Sequence, residues 1–573
     1  MELIDQRTKK IMEECRKVAE KEGLNIQGET LEYIITNRDM IEISPKVMIP
    51  TLYDYWVNDV EVIRDKWMYD VYPHNAYETV INTRPAISFY NDNNPDWLNS
   101  MIFYHVLGHI DFFHNNVFFR NTWNDDFCGE ALADKRLINK IREELGENKR
   151  WVDYVIEFAR GADNLVGYYA ELEEADRAGM RDIFGEVSEK ADFYFGEFLR
   201  RRHEEHVIEL KFYHDEVERY NLCIKQFGPK HGEAIFFDDF EFRNKCPEFA
   251  SIFKKHQEKK KTKPKSKDIL QHLIENSEFI NKEENKWMKD VLGVVRRTSL
   301  YFQPQMRDKI ANEGWASFWH ERLFIPDERI RTHEVDFCLV NSGVVANPRL
   351  GLNPYIIGKN LFEFIEDLAR KGKLSYEYQL IKDSEARKRF NQKQGDEYAK
   401  KALFAARKNF DDFMLVNFLS DDDFQDFVDK HKLFVVGQRF NDEKWIIETY
   451  IKSKNGKDYR KMLNDSLYHP PYGLINDEKA KDGELYLDHV YEGRTLYTRH
   501  IEPVLIGLAY LAGTKVKLET TEFAMEYRND WDMLDPENKP KYQKQRVLYT
   551  CEKKSVSRFV LDYGPAEGGY YDE

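Results

Sequence analysis

The sequence feature that most constrains this chain is a short apolar stretch with two histidines, Tyr104–Phe113. His105 and His109 are four residues apart, so a helix with 3.6 residues per turn places both imidazoles on one face. Metal ligands use this spacing. In the H-E-x-x-H motif a glutamate follows the first histidine and acts as general base, whereas this chain has Val106 there. The stretch therefore predicts a metal-binding helix face without the usual base.

A metal site on this helix needs a third ligand from elsewhere in the chain. In zincin-type hydrolases a strand precedes the two-histidine helix, and in one large group a glutamate on a later helix completes the site. Here a predicted strand with Glu78 precedes the helix, and Glu313 follows in Asn312–Ala316. We therefore predict that His105, His109 and Glu313 bind zinc. The alternative is two hydrogen-bonded histidines in an aromatic core, with Glu313 in a salt bridge.

Further residues are expected around these ligands rather than among them. His320 follows Glu313 by seven residues, so it shares the helix face but lies about 10 Å further along the axis. We predict that His320 and Asn116 support the ligands from outside the coordination sphere. Asp111 follows His109 by two residues and points to another side of the helix. This disfavours His109 and Asp111 as the H-x-D half of an iron site.

Three residues are candidates for the chemistry itself. Glu78 is the candidate general base, because a strand beside the helix can bring its carboxylate to a bound water. The alternative is an ion pair of Glu78 with Arg84 or Arg120. His333 and Tyr355 are candidates for polarising a substrate carbonyl or stabilising an oxyanion. Ordinary structural hydrogen bonding is the alternative for both.

Composition narrows the class of protein. The net charge of −16 argues against a general nucleic-acid binder, because phosphate contacts need a basic face. The six cysteines are far apart and are interpreted as reduced thiols. The sequence has neither a signal peptide nor an apolar run long enough to span a membrane, so we expect a cytoplasmic protein.

Apolar periodicity predicts an α+β fold with two domains. Residues 1–420 are predicted as a predominantly helical domain with a small sheet at 77–90 and the zincin-like two-histidine helix. Residues 421–573, in which strands and helices alternate, are predicted as a smaller α+β domain. The basic stretch at about 254–267 is expected to form an exposed linker. His203 and His206, surrounded by charged residues, are interpreted as part of a solvated helix face.

Several motifs in combination resemble the stage V sporulation protein R (SpoVR) family. These motifs are Glu78–Asn82, His105–Phe113, Asn115–Asn116, Tyr301–Gln305, Asn312–Ala316 and Asn353–Tyr355. The resemblance extends over nearly the whole chain. The family pattern also has a non-acidic residue at the position of Val106, so the absent base is not peculiar to this chain. His114 replaces an expected lysine, but it lies off the ligand face.

The resemblance implies a biological setting and no chemistry. The family is associated with late sporulation and spore-cortex formation, yet similar proteins occur in bacteria and archaea that make no spores. Their genes commonly accompany those of a PrkA-type serine protein kinase and of a protein with a von Willebrand A-type domain. The resemblance thus implies these two partners in a stress or starvation module.

Three functions are consistent with these residues. The first is a zinc-dependent hydrolase of an amide bond in a peptide or cell-wall precursor. The second is a non-catalytic regulator in the kinase module, with a structural or degenerate metal site. The third is a redox enzyme with iron on the same ligands. Bound zinc would support the first or the second function, bound iron would support the third, and the absence of any metal would exclude the first.

Overall fold

The structure is a computed structural model of the chain. It describes residues 2–26, 28–36, 39, 78–122, 127–163, 188–199, 210–238, 240–260, 268–347, 351–375, 378, 381, 383–441, 445–468, 471–481, 483–491, 495–526 and 541–561. The charged block at 200–206 lies outside the described residues. So does the side chain of Glu78, although the backbone at this position is described.

The helices and strands have the following bounds. The strands are β1 (Glu2–Leu3), β2 (Thr30–Ile35), β3 (Glu78–Ile81), β4 (Ala86–Asn91), β5 (Val435–Asn441), β6 (Ile446–Ser453), β7 (Tyr472–Ile475), β8 (Leu485–Val490), β9 (Val516–Glu526), β10 (Lys541–Glu552) and β11 (Ser555–Val560). The helices are α1 (Gln6–Lys21), α2 (Asp96–Asn115), α3 (Phe127–Leu145), α4 (Arg150–Asp163), α5 (Glu189–Phe193), α6 (Leu210–Phe227), α7 (Pro229–Asp238), α8 (Phe240–Lys245), α9 (Phe249–Lys260), α10 (Ile269–Asn276), α11 (Trp287–Arg307), α12 (Lys309–Phe324), α13 (Glu334–Val344), α14 (Pro354–Arg370), α15 (Ser384–Arg389), α16 (Asp396–Asn409), α17 (Asp412–Asn417), α18 (Asp421–Lys430), α19 (Gly456–Ser466) and α20 (Thr498–Ala512).

These elements confirm the predicted α+β class, because the described residues are mostly helical with small sheets. The chain divides into two compact units: residues 1–140 with 298–469, and residues 141–297 with 470–573. The sequence-predicted boundary at residue 420 falls within the first unit, and the two predicted domains stay a prediction. Helix α9 includes residues 254–260 of the predicted linker, and residues 261–267 lie outside the described part of the chain.

A four-stranded sheet in the first unit leads directly into the two-histidine helix. Its strand order is β1-β2-β4-β3, with β2 parallel and β3 antiparallel to β4. After β4 a short turn ends at Pro95, and α2 begins at Asp96. The ring of Tyr90 on β4 meets the ring of Phe103 on α2 edge to face, with centroids 4.9 Å apart. The first half of helix α2 is thus anchored against the sheet.

Two helices, α2 and α12, form the centre of the first unit. Both are buried on almost all sides, as expected for helices that are apolar around their circumference. His105 on α2 contacts His320 on α12, and His109 contacts Asn312. Because residue numbers rise along one helix as they fall along the other, the two helices are antiparallel.

Glycines allow α12 to approach two neighbours closely. A Cβ at Gly108 would lie 2.7 Å from Cα of Ala316 across the α2–α12 contact. A Cβ at Gly314 would lie 2.3 Å from Cα of Gly358 on α14. Distances below 3 Å leave no room for a side chain. These contacts hold α12, and with it Glu313, at a fixed distance from α2 and α14.

Helix α12 begins at a buried carboxylate from another helix. Asp412 accepts hydrogen bonds from the backbone N–H groups of Ile310 and Ala311, at 2.9 and 2.7 Å. An acidic group at a helix N-terminus satisfies unpaired donors and complements the helix dipole. The first turn of α12, which precedes Glu313, is therefore fixed as well.

The second unit combines helices with a five-stranded sheet of order β11-β10-β9-β8-β7. Strands β8 and β9 are parallel, and the other neighbours are antiparallel. Helix α20 packs on α4, where the rings of Trp151 and Tyr510 stack with centroids 5.2 Å apart. Residues distant in sequence thus pack together in this unit.

Candidate metal centre

The two histidines of α2 lie side by side in the interior of the first unit. His105 is 4% exposed and His109 is 6% exposed. Their ring centroids are 4.6 Å apart, and the ring planes are nearly perpendicular. The spacing of four residues therefore brings the imidazoles together, as predicted, and burial removes them from most solvent contact.

A hydrogen bond to Asn312 defines which nitrogen of His109 carries the proton. Nδ1 of His109 lies 2.9 Å from Oδ1 of Asn312. An amide oxygen can only accept, so Nδ1 must donate, and Nε2 of a neutral ring then has a lone pair. Metal-binding histidines have this arrangement, with one nitrogen hydrogen-bonded and the other directed at the ion.

His105 has a second imidazole as its partner. Its Nδ1 lies 2.9 Å from Nδ1 of His320, and Nε2 of His320 lies 2.8 Å from Oδ1 of Asn341. Because the Asn341 oxygen only accepts, a neutral His320 has its proton on Nε2 and accepts at Nδ1. His105 then donates from Nδ1, and its Nε2 has a lone pair as well.

Glu313 on α12 completes a set of three ligand atoms that lie within 4.8 Å of one another. Its Oε2 lies 3.5 Å from Nε2 of His109 and 3.8 Å from Nε2 of His105. Bonds of about 2.0–2.2 Å at tetrahedral angles would separate two ligand atoms by roughly 3.3–3.6 Å. The His109–Glu313 separation of 3.5 Å falls in this range, and the His105–Glu313 separation of 3.8 Å is slightly longer, so small side-chain shifts would bring both to the spacing that a zinc ion requires.

The surroundings of the Glu313 carboxylate also suit a cation. Oε2 of Glu313 is buried and accepts no hydrogen bond from the described residues. A buried charged oxygen without a hydrogen bond is costly, and two imidazole lone pairs beside it increase the repulsion. A cation among the three atoms would remove this cost, so the residues present fit a metal ion.

The pKa values of His109 and Glu313 favour the protonation states in which these side chains can bind a metal ion. Burial lowers the pKa of His109 to about 4; His105 adds to this effect, while Glu313 and Asn312 oppose it. Burial raises the pKa of Glu313, but interactions with His105, His109 and Lys309 outweigh this, and the net pKa lies below its usual value. At neutral pH the site thus offers a neutral His109 and an anionic Glu313.

Tyr355 and His320 lie beside the candidate ligand His105. The ring of Tyr355, in the first turn of α14, stacks on His105 with centroids 6.0 Å apart. Burial lowers the pKa of His320 to about 3, so this imidazole is neutral at physiological pH. The structure thus brings both residues together with His105, His109 and Glu313.

The other predicted residues have different surroundings. His333 stacks on Trp97 at 5.6 Å, and its Nδ1 lies 3.3 Å from Oδ2 of Asp336. Asn116 follows the last residue of α2 and donates hydrogen bonds to the backbone carbonyls of Arg407 and Phe410, each at 2.9 Å. Glu78 pairs through its backbone with Tyr90 at the beginning of β3.

Asp111 belongs to a separate buried network. Its carboxylate accepts hydrogen bonds from the Trp315 indole at 2.9 Å and from the backbone N–H of Asn25 at 2.7 Å. Arg407 pairs with it at 3.3 Å. Burial raises the pKa of Asp111 to about 6, although Arg407 opposes this. Asp111 thus stabilises the contact between α2 and α12.

Sequence reasoning missed Asn312 and Asn341. Asn312 precedes the candidate ligand Glu313 in the same motif, so its position offered a usable signal. Asn341 lies on α13, 28 residues after Glu313, and nothing in the local sequence marks it. Both amides became recognisable only through the nitrogen atoms that they contact.

The chain resembles known proteins over the part that contains this site. The family model described as "SpoVR like protein" matches residues 4–469. "Uncharacterized protein YcgB" of Escherichia coli (strain K12) is 23% identical over 527 residues, which cover 88% of this chain and 90% of that protein. No solved structure matches. None of the described helices has the length and apolar character that a bilayer span requires.

Proposed function

The chain belongs to the SpoVR-like family, and from that premise and its buried two-histidine helix we propose that it is a metalloprotein. His105, His109 and Glu313 hold one divalent cation, zinc in this proposal. The observation that carries the proposal is the convergence of two imidazole lone pairs and one carboxylate oxygen without a hydrogen bond. The reaction that we propose is hydrolysis of an amide bond in a peptide or cell-wall precursor.

Zinc in such a centre supplies a Lewis acid and lowers the pKa of a bound water to about 7. The protein's own residues bind and orient. We propose that the Tyr355 hydroxyl donates a hydrogen bond to the substrate carbonyl, because its ring stacks on His105. Glu78 is the proposed base, because β3 packs beside α2. His333 stays a candidate for polarising the substrate carbonyl or stabilising an oxyanion.

A non-catalytic role is the second candidate, and one observation favours it. Val106 is fully buried where the H-E-x-x-H glutamate would be, and both histidines are nearly inaccessible. In this case the ion stabilises the fold of a cytoplasmic regulator. That regulator acts with a PrkA-type kinase and a von Willebrand A-type protein in a stress or sporulation response, as the family resemblance implies.

Iron is the third possibility for the same ligands, because two histidines and one carboxylate also form non-haem iron centres. Metal analysis of the purified full-length chain tests whether the site binds a metal and separates the iron enzyme from the two zinc-binding candidates. We expect about one zinc per chain in the wild type and its loss in His109→Ala and Glu313→Ala. His114→Ala is the matched control, since His114 is on the same helix but away from Glu313, and it should retain zinc.

The same variants separate catalysis from structure when they are tested for function in cells. Loss of both metal and function in His109→Ala and Glu313→Ala supports the hydrolase, provided that circular dichroism shows folded protein. Retained function without metal excludes a catalytic centre.

The variant Glu78→Ala tests the proposed base. If this variant still binds metal but has lost its function in cells, the result supports Glu78 as the base. A wild-type chain that binds no divalent metal refutes the proposal of a metalloprotein. Stoichiometric iron would support the redox enzyme in place of the zinc hydrolase.

A further inference from the structure

A series of hydrogen bonds, here called the relay, runs from the partly buried ion pair of Lys359 and Glu321 to His105. Lys359 Nζ lies 2.6 Å from Oε2 of Glu321, and Asn341 Nδ2 donates to Oε1 of Glu321 at 2.7 Å. Asn341 Oδ1 lies 2.8 Å from Nε2 of His320, and His320 Nδ1 lies 2.9 Å from Nδ1 of His105. The side chains that lead to His105 come from helices α12, α13 and α14.

The charged end of the relay fixes the direction of each hydrogen bond. Lys359 can only donate, so the Glu321 carboxylate is an acceptor for both of its partners. The Asn341 amide must therefore turn its NH₂ group to Glu321 and its oxygen to His320. This oxygen accepts, so His320 donates from Nε2. With one ring proton already on Nε2, His320 accepts at Nδ1.

We infer that Lys359, Glu321, Asn341 and His320 are positioning residues that hold the proton of His105 on Nδ1 and so keep Nε2 as its metal-binding atom. This inference rests on the proposed metal centre. The opposite tautomer of His105 would direct an N–H group at Glu313, which would then form a hydrogen bond in place of a metal bond. The relay therefore selects the tautomer that can bind an ion.

The two histidines differ in how this selection is made. His109 needs one amide, Asn312, because an amide oxygen only accepts. His105 faces a second imidazole, which by itself can donate or accept at Nδ1. Only the groups beyond His320 remove this ambiguity. Supporting partners of metal-bound histidines typically contribute about 10–100-fold to metal affinity.

Substitutions at His320 test the direction of the relay. In His320→Gln the amide oxygen can accept from His105 and the NH₂ group can donate to Asn341, so the polarity is preserved. His320→Leu has neither group. Competition titration of the full chain with Zn²⁺ and a chelator should show a loss of about 10–100-fold for His320→Leu. His320→Gln should remain closer to the wild type. Equal losses in both variants would overturn the inference.

Asn341→Leu tests the relay one step further from the metal. It should also weaken Zn²⁺ binding about 10–100-fold, because His320 is then free to donate to His105. The matched control is Asn417→Leu, which removes side-chain hydrogen bonds to Phe413 and Asn464 at 2.9–3.0 Å. This control should leave Zn²⁺ affinity unchanged. Unchanged affinity in Asn341→Leu contradicts the relay.

The tautomer of His105 is measurable without metal and without a destabilising variant. Nitrogen-15 NMR of the metal-free wild-type chain, with ¹⁵N-labelled histidine and with His105→Gln for assignment, distinguishes the protonated ring nitrogen. The relay predicts a protonated Nδ1 and a bare Nε2. A proton on Nε2 overturns the inference. A proton on Nδ1 in a protein that binds no metal refutes the proposed function and leaves the relay intact.

Discussion

At Glu313 the requirements of stability and of metal binding are opposed. Its buried oxygen faces the Nε2 atoms of His105 and His109 at 3.8 and 3.5 Å. Without a cation these three atoms repel one another, since each is an acceptor. Natural sequences retain such local conflicts at functional sites, where the function compensates for the cost.

Glu313→Gln should therefore make the metal-free protein more stable. The new NH₂ group can donate to Nε2 of His109, and the buried charge is removed. We expect an increase of about 0.5–1.5 kcal/mol in the free energy of unfolding, together with loss of Zn²⁺ binding. Urea denaturation of the metal-free proteins measures this change. A variant less stable than the wild type would show that Glu313 has a structural role without metal.

His320 predicts a dependence of stability on pH. Its pKa is lowered to about 3 in the folded protein, against an ordinary value of 6.5. Between these values the unfolded state binds one proton more than the folded state, so stability falls as the pH falls. From pH 6.5 to pH 5, His320 should account for a loss of about 2 kcal/mol.

His320→Gln isolates this contribution, because it keeps the hydrogen-bond polarity and removes the titrating group. Urea denaturation of the metal-free proteins at both pH values should show a shallower loss of stability in the variant. Equal losses in variant and wild type would indicate that His320 takes up its proton in the folded state.

At the scale of elements, the close approach of α12 to α2 and α14 positions the carboxylate. Gly314→Ala would place a Cβ 2.3 Å from Gly358 and force α12 and α14 apart. We expect destabilisation of about 1–3 kcal/mol, as for overpacked cores, and weaker Zn²⁺ binding because Glu313 moves. Denaturation and chelator competition measure the two effects.

Gly343→Ala on α13 is the matched control. A Cβ at Gly343 meets no described atom within 4 Å, so alanine should leave zinc binding unchanged. It should also raise stability by about 0.5–1 kcal/mol through helix propensity. If Gly314→Ala, like Gly343→Ala, lost neither stability nor Zn²⁺ binding, the distance between α12 and α14 would not determine the geometry of the site.

The sequence predicted those elements whose pattern is local. The apolar run around His105 predicted α2, and alternation at residues 77–90 predicted β3 and β4. Glu313 was found because its motif resembles a known arrangement. The antiparallel register of α2 and α12 was not predictable, because Gly108 and Ala316 signal a close contact only when they are known to be opposite each other. The role of Asn341 depends on this same tertiary register.

At the scale of the whole molecule, each compact unit is built from two separate stretches of chain. Helix α20 contributes Tyr510 to a stack with Trp151, and Ser277 donates to the carbonyl oxygen of Leu511 at 2.8 Å. Local periodicity cannot reveal such a division, because the two stretches of the second unit are separated by residues 298–469.

Removal of residues 470–573 should therefore unfold part of the remaining second unit. Loss of β7–β11 and α20 exposes the apolar face of α4, so hydrogen exchange in α4 and α10 should become faster than in the full chain. Helices α2 and α12 belong to the other unit and should keep their protection. Unchanged exchange in α4 would instead support an independent domain at the C-terminal end, as the boundary at residue 420 predicts.

The central claim is that one divalent ion binds the Nε2 atoms of His105 and His109 together with Glu313. X-ray absorption of the zinc-loaded full chain tests it most directly, because imidazole rings give a recognisable scattering pattern. We predict one zinc per chain with two imidazole ligands, and one fewer imidazole in His109→Ala if any zinc is retained. A spectrum without imidazole scattering, or a wild-type chain that takes up no zinc, would contradict the account.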